Sequence, residues 1–348
     1  MTTLSICIPS HASLEASKPS VESALTLLNH HDVEIIVSDN SGDVDKETYF
    51  GSINRTGFCY CKSSFEDPMR NWQNAMEKSR GRYVLMLGDD DLVIALPRLR
   101  IPTGHDDAIG FRPAHAMYAS GQGVTRPTFF GISESRPINR IKRFLKENGG
   151  SAVTLYSAIR RDWWRDMFEE YLANHPTRAM FTDWPMTYSL VAAGKLPAEG
   201  NLLYLYNSAN WGTAESISKN TRKQIEDIGL PSDALEIQHA FLAVDAFVAV
   251  CRKSLALSTD EKLEAGLYLS TLYFNQLVDG LRIKFNSDDN PQTKHLQSAK
   301  IAMSATSPIE QFCACLIIIE LWLPHLRERY QAFMRSVLDC AVAKKIGF

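Results

Sequence analysis

Three consecutive aspartates, Asp89, Asp90 and Asp91, close the stretch YVLMLGDDDL (83–92), which is otherwise almost free of polar side chains. Adjacent carboxylates repel one another, so three in a row stay ionised together only with solvent, hydrogen-bond donors or a cation at hand. A divalent metal meets that need economically. Mg²⁺ and Mn²⁺ take oxygen ligands and commonly bind through one or two carboxylates together with substrate phosphates. A solvated acidic turn is the competing reading. Its weight falls because Gly88 permits close backbone approach and because PSHAS (9–13) and SDNSGD (38–43) also place polar clusters at the ends of apolar runs.

The elements that must position these clusters follow from periodicity. LSICI (4–8) and VEIIVSD (33–39) read as buried strands, bounded by Pro9 and by a turn-forming DNSGD. Between them Val21, Ala24, Leu25 and Leu28 fall at i, i+3, i+4 and i+7, one apolar helix face. This β-α-β unit predicts a parallel sheet. GFCYCK (57–62) reads as the next strand, MRNWQNAMEKSRG (69–81) as a helix closed by Gly81, and RYVLML (82–87) as another buried strand. Open parallel sheets bind ligands at the carboxyl ends of their strands, which is where all three polar clusters lie.

From about residue 215 the pattern is wholly helical, with apolar faces in LEIQHAFLAVDAFVAVC, EAGLYLSTLYFNQLVDGL and IEQFCACLIIIELWL. Ser258–Glu261 and Ser307–Glu310 form capping boxes, the second with Pro308 at the first helical position. NSDDNPQ (286–292) reads as an interhelix loop, and Asp106 and Asp107 as part of a turn. The expected organisation is an α/β domain over 1–212, with a Rossmann-like and mostly parallel sheet, followed by an all-helical domain over 213–348.

Composition narrows the function classes. The 348 residues carry 37 Lys+Arg against 40 Asp+Glu, a net charge of -3, so no basic surface points to a nucleic-acid partner. Seven cysteines are scattered without CxxC spacing, and nine histidines show neither HxxxH nor HExxH, which argues for reduced thiols and against zinc. No secretory signal is read at the start, and the apolar run CACLIIIELWLP falls short of the roughly 20 residues that span a bilayer. A cytoplasmic protein is expected. The basic amphipathic end, HLRERYQAFMRSVLDCAVAKKIGF, suits packing on its own bundle or on a second subunit as a homo-oligomer, with peripheral contact to an anionic membrane face as the alternative.

LSICIPSHAS, EIIVSDNSGD, NWQNAMEKSRGRYVLMLGDDDL and FTDWPMTYSLVAAGKL resemble, in order and spacing, the successive blocks of family 2 glycosyltransferases of the GT-A fold. The resemblance spans roughly residues 4 to 210 and excludes the helical tail. It implies a nucleotide-sugar-binding domain, a nucleoside-diphosphate sugar donor, usually a UDP-sugar, transfer with inversion, and a saccharide or lipid-linked saccharide acceptor. By position, Pro9, Ser10 and His11 would border the nucleotide and Asp39 would accept a hydrogen bond from the base. Gly88 stands where many members begin the acidic motif. Asp89 then falls near the ribose or diphosphate, Asp90 is the implied ligand of Mn²⁺ or Mg²⁺, and Asp91 is the third member of the set.

Such a transfer needs a stabilised diphosphate leaving group on one side of the anomeric carbon and a general base on the other. Asp183 is the candidate base, where the family carries Glu-Asp and this chain has Thr182-Asp183. A helix cap is its other reading, with Pro185 in the first turn. Trp184 offers an apolar face to an acceptor sugar or packs in a core. NSANWGTAES (207–216) reads either as a loop closing over the donor or as a connection. Two other functions fit an acidic strand end: a nucleotidyltransferase acting on sugar phosphates, and a catalytically silent binding protein. The first predicts a glycine-rich basic loop after the first strand, which PSHASLEASKP lacks.

Overall fold

The computed structural model describes residues 2–30, 32–97, 99, 101, 107–119, 123–177, 180–209, 213–287 and 293–348. Its strands are β1 (Leu4–Ser10), β2 (Val33–Asp39), β3 (Phe58–Lys62), β4 (Tyr83–Met86), β5 (Leu92–Ala95), β6 (Gly110–Ala119), β7 (Gly123–Thr128), β8 (Ala158–Arg160) and β9 (Ala198–Asn207). They join in the order β3-β2-β1-β4-β8-β6-β9-β5, with β7 on β6. From β3 to β4 the pairing is parallel throughout. Beyond β4 it is mixed: β8 runs antiparallel to both its neighbours, β6 and β9 are parallel, and β5 and β7 are antiparallel edges. β1, β2 and β4 are buried at every position, which is why their sequences run apolar instead of alternating.

The chain moves outward from β1 to β2 and β3, then returns to place β4 on the opposite side of β1. The carboxyl ends of β1 and β4 therefore flank a topological switch point, the place where open α/β sheets take their ligands. The helix Pro68–Lys78 precedes β4. It ends at Ser79, in extended backbone, and not at Gly81 as expected. Gly81 matters for another reason. A Cβ there would stand 2.8 Å from the Ser5 backbone nitrogen, so glycine is what lets the chain enter β4 tightly against β1.

Two compact units divide the chain. One contains residues 1–135, 142–168 and 194–213, and so holds the whole sheet; the other contains 136–141, 169–193 and 214–348. Residues 136–141 and 169–193 thus lie with the helical unit, whereas the sequence pattern assigns them to the first domain. The reason is visible in the helix Asp183–Ala193, which is buried at every position from Pro185 to Ala192 and packs on the helix Gln238–Cys251. A helix apolar on all sides needs a helical core around it.

Within the helical unit, Gln238–Cys251 is buried from Ala240 onward and also packs on Thr259–Ser287 and Pro308–Trp322. Both expected capping boxes form: Ser258 with Glu261, and Ser307 with Glu310. The segment Ser232–Cys251 is long and apolar enough to cross a membrane, yet 78% of its apolar window is buried in this unit. The helix Arg327–Val337 buries Tyr330, Phe333, Met334 and Val337. Its apolar stripe is therefore used in packing, and its charged side faces solvent. The loop 286–292 and Asp106 lie wholly or partly outside the described residues, as do 210–212 of the expected closing loop.

Candidate functional site

The acidic tip resolves into three unlike carboxylates. Asp89 Oδ2 accepts from Ser10 Oγ at 2.7 Å and from the backbone nitrogens of His11 and Ala12 at 2.8 Å each. The chain leaving β1 thus wraps around the carboxylate leaving β4, with donors that replace the water lost there. Asp91 points the other way. It is 2% exposed, accepts from Tyr204 Oη at 2.5 Å and from the Asn207 backbone nitrogen at 2.7 Å, and so bolts the tip to the end of β9. Burial, only partly offset by those two bonds, pushes its carboxyl up to about 7.

Asp90 is left facing solvent, and no cationic side chain pairs with it among the described residues. Burial of its surroundings and the charge of Asp89 raise its pKa above the usual carboxylate value. Its backbone carbonyl accepts from Tyr118 Oη at 2.6 Å, which fixes the loop without occupying the carboxylate. Tyr118 is itself pushed up to about 12, by desolvation and by Asp91 and Asp90.

Gly88 explains how the tip can be so compact. A Cβ at this position would lie 2.5 Å from Asp91 Oδ2 and 3.0 Å from its Cγ. Any larger residue here competes with the inward carboxylate of Asp91. Ser20 Oγ donates to the Gly88 carbonyl at 2.8 Å and ties the turn to the first helix.

Asp39, at the end of β2, is 5% exposed. Its Oδ1 accepts from Lys46 Nζ at 2.9 Å and from the Ser41 backbone nitrogen at 3.0 Å; its Oδ2 accepts from Tyr60 Oη at 2.6 Å. Burial alone would raise this carboxyl, but the bonds from Tyr60, Lys46 and Ser41 outweigh it and the net shift is downward. Asp39 is thus an anion with roughly one of four lone-pair directions uncommitted, room for a single further N–H donor. Asp43 organises the same loop: it caps the helix Val44–Gly51 through the nitrogens of Asp45 and Lys46, and accepts from Leu14 N at 2.8 Å. Pro9 and Ser10 are buried, and the exposed member of their cluster is His11.

The donors available to a metal are few. Among the described residues no three His, Cys, Asp or Glu side chains form a metal cluster. Asp91 is committed to Tyr204 and Asn207, and Asp89 has one oxygen engaged three times. Asp90 and the second oxygen of Asp89 remain. That set suits an ion of the Mg²⁺ type that takes one or two carboxylates and completes its shell with phosphates and water, and it does not suit an all-protein cage.

Asp183 and Trp184 belong to the helical unit. Asp183 opens the helix Asp183–Ala193 and is solvent-accessible, while desolvation by the protein around it raises its carboxyl above the usual range, against the backbone N–H groups of Trp184 and Asp183. Two residues earlier Phe181 has φ 61°, left-handed backbone unusual for a bulky side chain, and its ring stacks on Phe241 at 6.1 Å. Trp184 is half-buried, its ring 5.8 Å from that of Tyr188.

Sequence reasoning missed Lys46, Tyr60, Tyr204 and Asn207. Lys46 carried a usable signal: a lysine in the first turn of a helix opposes the helix dipole, so something other than helix stability placed it there. The tyrosines carried none, because aromatic residues in strands read equally well as core.

No family model matches the chain, and no curated protein sequence matches it. Solved structures of TarS from S. aureus are similar in architecture. The TarS 1–349 structure has 12% identity and a TM-score of 0.44, covering 95% of this chain and 92% of that one. Its complex with UDP has 11% identity and a TM-score of 0.49, covering 100% and 92%. Its complex with UDP-GlcNAc has 12% identity and a TM-score of 0.41, covering 95% and 92%.

Proposed function

We propose that the protein is a glycosyltransferase that moves a sugar, with inversion, from a nucleoside-diphosphate sugar to a hydroxyl of a saccharide or lipid-linked saccharide. The observation that carries this reading is the position of the acidic tip. At the β1/β4 switch point a backbone loop cradles Asp89 and leaves Asp90 open, while Asp39 waits at the end of β2 with one lone pair to spare. This is a place to hold a base at one end and a diphosphate at the other.

In that reading the uncommitted direction on Asp39 takes the imide N–H of uracil, which makes a UDP-sugar the donor. Asp90, with the free oxygen of Asp89, would hold Mn²⁺ or Mg²⁺, and such an ion offsets the charge that grows on a departing diphosphate. Asp183 takes the proton of the acceptor hydroxyl; its raised pKa makes it a stronger base than an unperturbed aspartate. Trp184 lends an apolar ring to the acceptor sugar. The solvent-facing cations of the tail, among them Arg329, Arg335 and Lys344, suit a cytoplasmic enzyme that meets a lipid-linked acceptor at an anionic surface.

Isothermal calorimetry with UDP-, GDP-, TDP- and CDP-sugars, each with and without Mn²⁺, tests the proposal. A UDP-sugar is expected to bind, and more tightly with the metal. Binding of none of the four would overturn it.

A further inference from the structure

Lys46 is fully buried, and its ammonium has three acceptors: Ser10 Oγ at 2.6 Å, the Ala12 carbonyl at 2.8 Å and Asp39 Oδ1 at 2.9 Å. All three of its protons are therefore used. Ser10 has a single hydroxyl proton, and Asp89 Oδ2 accepts it at 2.7 Å. The Lys46–Ser10 bond must then run from the ammonium to the hydroxyl oxygen, which fixes the direction of the whole chain. Asp39 and Asp89, 50 residues apart in sequence, share one cation, directly in the first case and through Ser10 in the second. The Ala12 carbonyl adds the loop whose backbone nitrogens hold Asp89.

We propose that Lys46 is the positioning residue of the donor site: one buried ammonium orients both the carboxylate that meets the base and the carboxylate beside the diphosphate. The inference rests on the nucleotide-sugar reading above. A lysine that only neutralised Asp39 would need neither Ser10 nor the Ala12 carbonyl. The titratable groups that face Asp39 are Lys46 and Tyr60, with Asp43 and Glu47 beyond them. Among the described residues Lys46 is the only cation bonded to Asp39, since Lys62, opposite Asp39 on β3, pairs with Glu47; its removal leaves a buried carboxylate with hydroxyl and backbone donors alone.

Lys46→Met keeps the length of the side chain and removes its charge. UDP is expected to bind at least about 10-fold more weakly, and donor KM to rise in parallel, while kcat at saturating donor stays within about threefold. Affinity should also become pH-dependent between about pH 5 and 8, weakening as pH falls, because Asp39 without its cation protonates in a higher range. Asp91 and the terminal phosphate of UDP titrate in this window in every variant, so the wild-type profile is the reference: Lys46→Met should add an acid limb to it, and the double variant Lys46→Met/Asp39→Asn should return to it. A purely structural lysine would not generate an acid limb that the asparagine removes. If wild-type protein binds UDP and Lys46→Met binds it with equal affinity and the wild-type pH profile, the role of Lys46 is overturned and the nucleotide reading stands. If the wild type binds no nucleotide, that reading fails first. Should circular dichroism show Lys46→Met unfolded, Ser10→Ala decides. It keeps the Lys46–Asp39 pair and cuts the link to Asp89, and unchanged UDP affinity in it would overturn the proposal.

Discussion

Gly88→Ala is the sharpest probe of how the acidic tip is built. The added methyl carbon would sit 2.5 Å from Asp91 Oδ2, about an ångström inside ordinary contact. Oδ2 is the end of a side chain, but it cannot swing freely: Asp91 is 2% exposed, Tyr204 holds Oδ2 and the Asn207 nitrogen holds Oδ1. Relief of the clash breaks the Tyr204 bond, and a hydrogen bond to a charged group contributes about 1.5–3 kcal/mol. Urea unfolding followed by far-UV circular dichroism should show a loss of that size. The cause can be isolated by a double-mutant cycle. Once Asp91→Ala has removed the carboxylate, adding Gly88→Ala should cost less than about 1 kcal/mol, close to the surface value or below it. A loss under about 0.5 kcal/mol in the single variant, or strict additivity in the pair, would refute the inward placement of Asp91.

Asp183→Asn should lower kcat by about 10²–10⁴-fold while UDP affinity changes by less than about twofold, as stopped assays and calorimetry would show; equal loss of both would remove Asp183 from the role of base. A base works deprotonated, and this carboxyl is raised by desolvation, so the wild-type rate should climb with pH through a value above the ordinary aspartate figure of about 3.9. A flat kcat from pH 4 upward would contradict that. Asp90→Ala should erase the strengthening of UDP binding by Mn²⁺ while leaving metal-free binding in place, since among the described residues Asp90 makes no ion pair that the loop depends on; a retained metal effect would place the ion elsewhere.

The parallel half of the sheet was legible because both faces of β1, β2 and β4 are buried, which forces continuous apolar runs with polar residues only at their ends. The polar ends of those strands followed from the same pattern. The mixed half was not legible. β8 has three residues and β6 carries Arg112 and His115 in its buried stretch, so neither shows a period that distinguishes strand from loop. The membership of 169–193 was not legible for a different reason: the helix Asp183–Ala193 carries its apolar character all round, which marks it as buried but does not say in which core. Periodicity reports how a segment is buried and is silent about its partner.

Three adjacent aspartates looked, as a sequence, like one repulsive cluster awaiting one cation. The fold separates them before any cation arrives. Asp89 has one oxygen solvated by two backbone N–H groups and by a hydroxyl that leans on Lys46; Asp91 is driven inward, where its raised pKa lowers the charge it presents near neutrality. Only Asp90 stays open, and its own pKa is raised in part by Asp89, a strain that a bound cation would relieve. Repulsion within the triplet is thus reduced at two positions and concentrated at the third. Metal affinity in such a tip should depend less on how many aspartates the strand end carries than on how firmly Ser10, Tyr204 and Lys46 hold Asp89 and Asp91 beside the open Asp90.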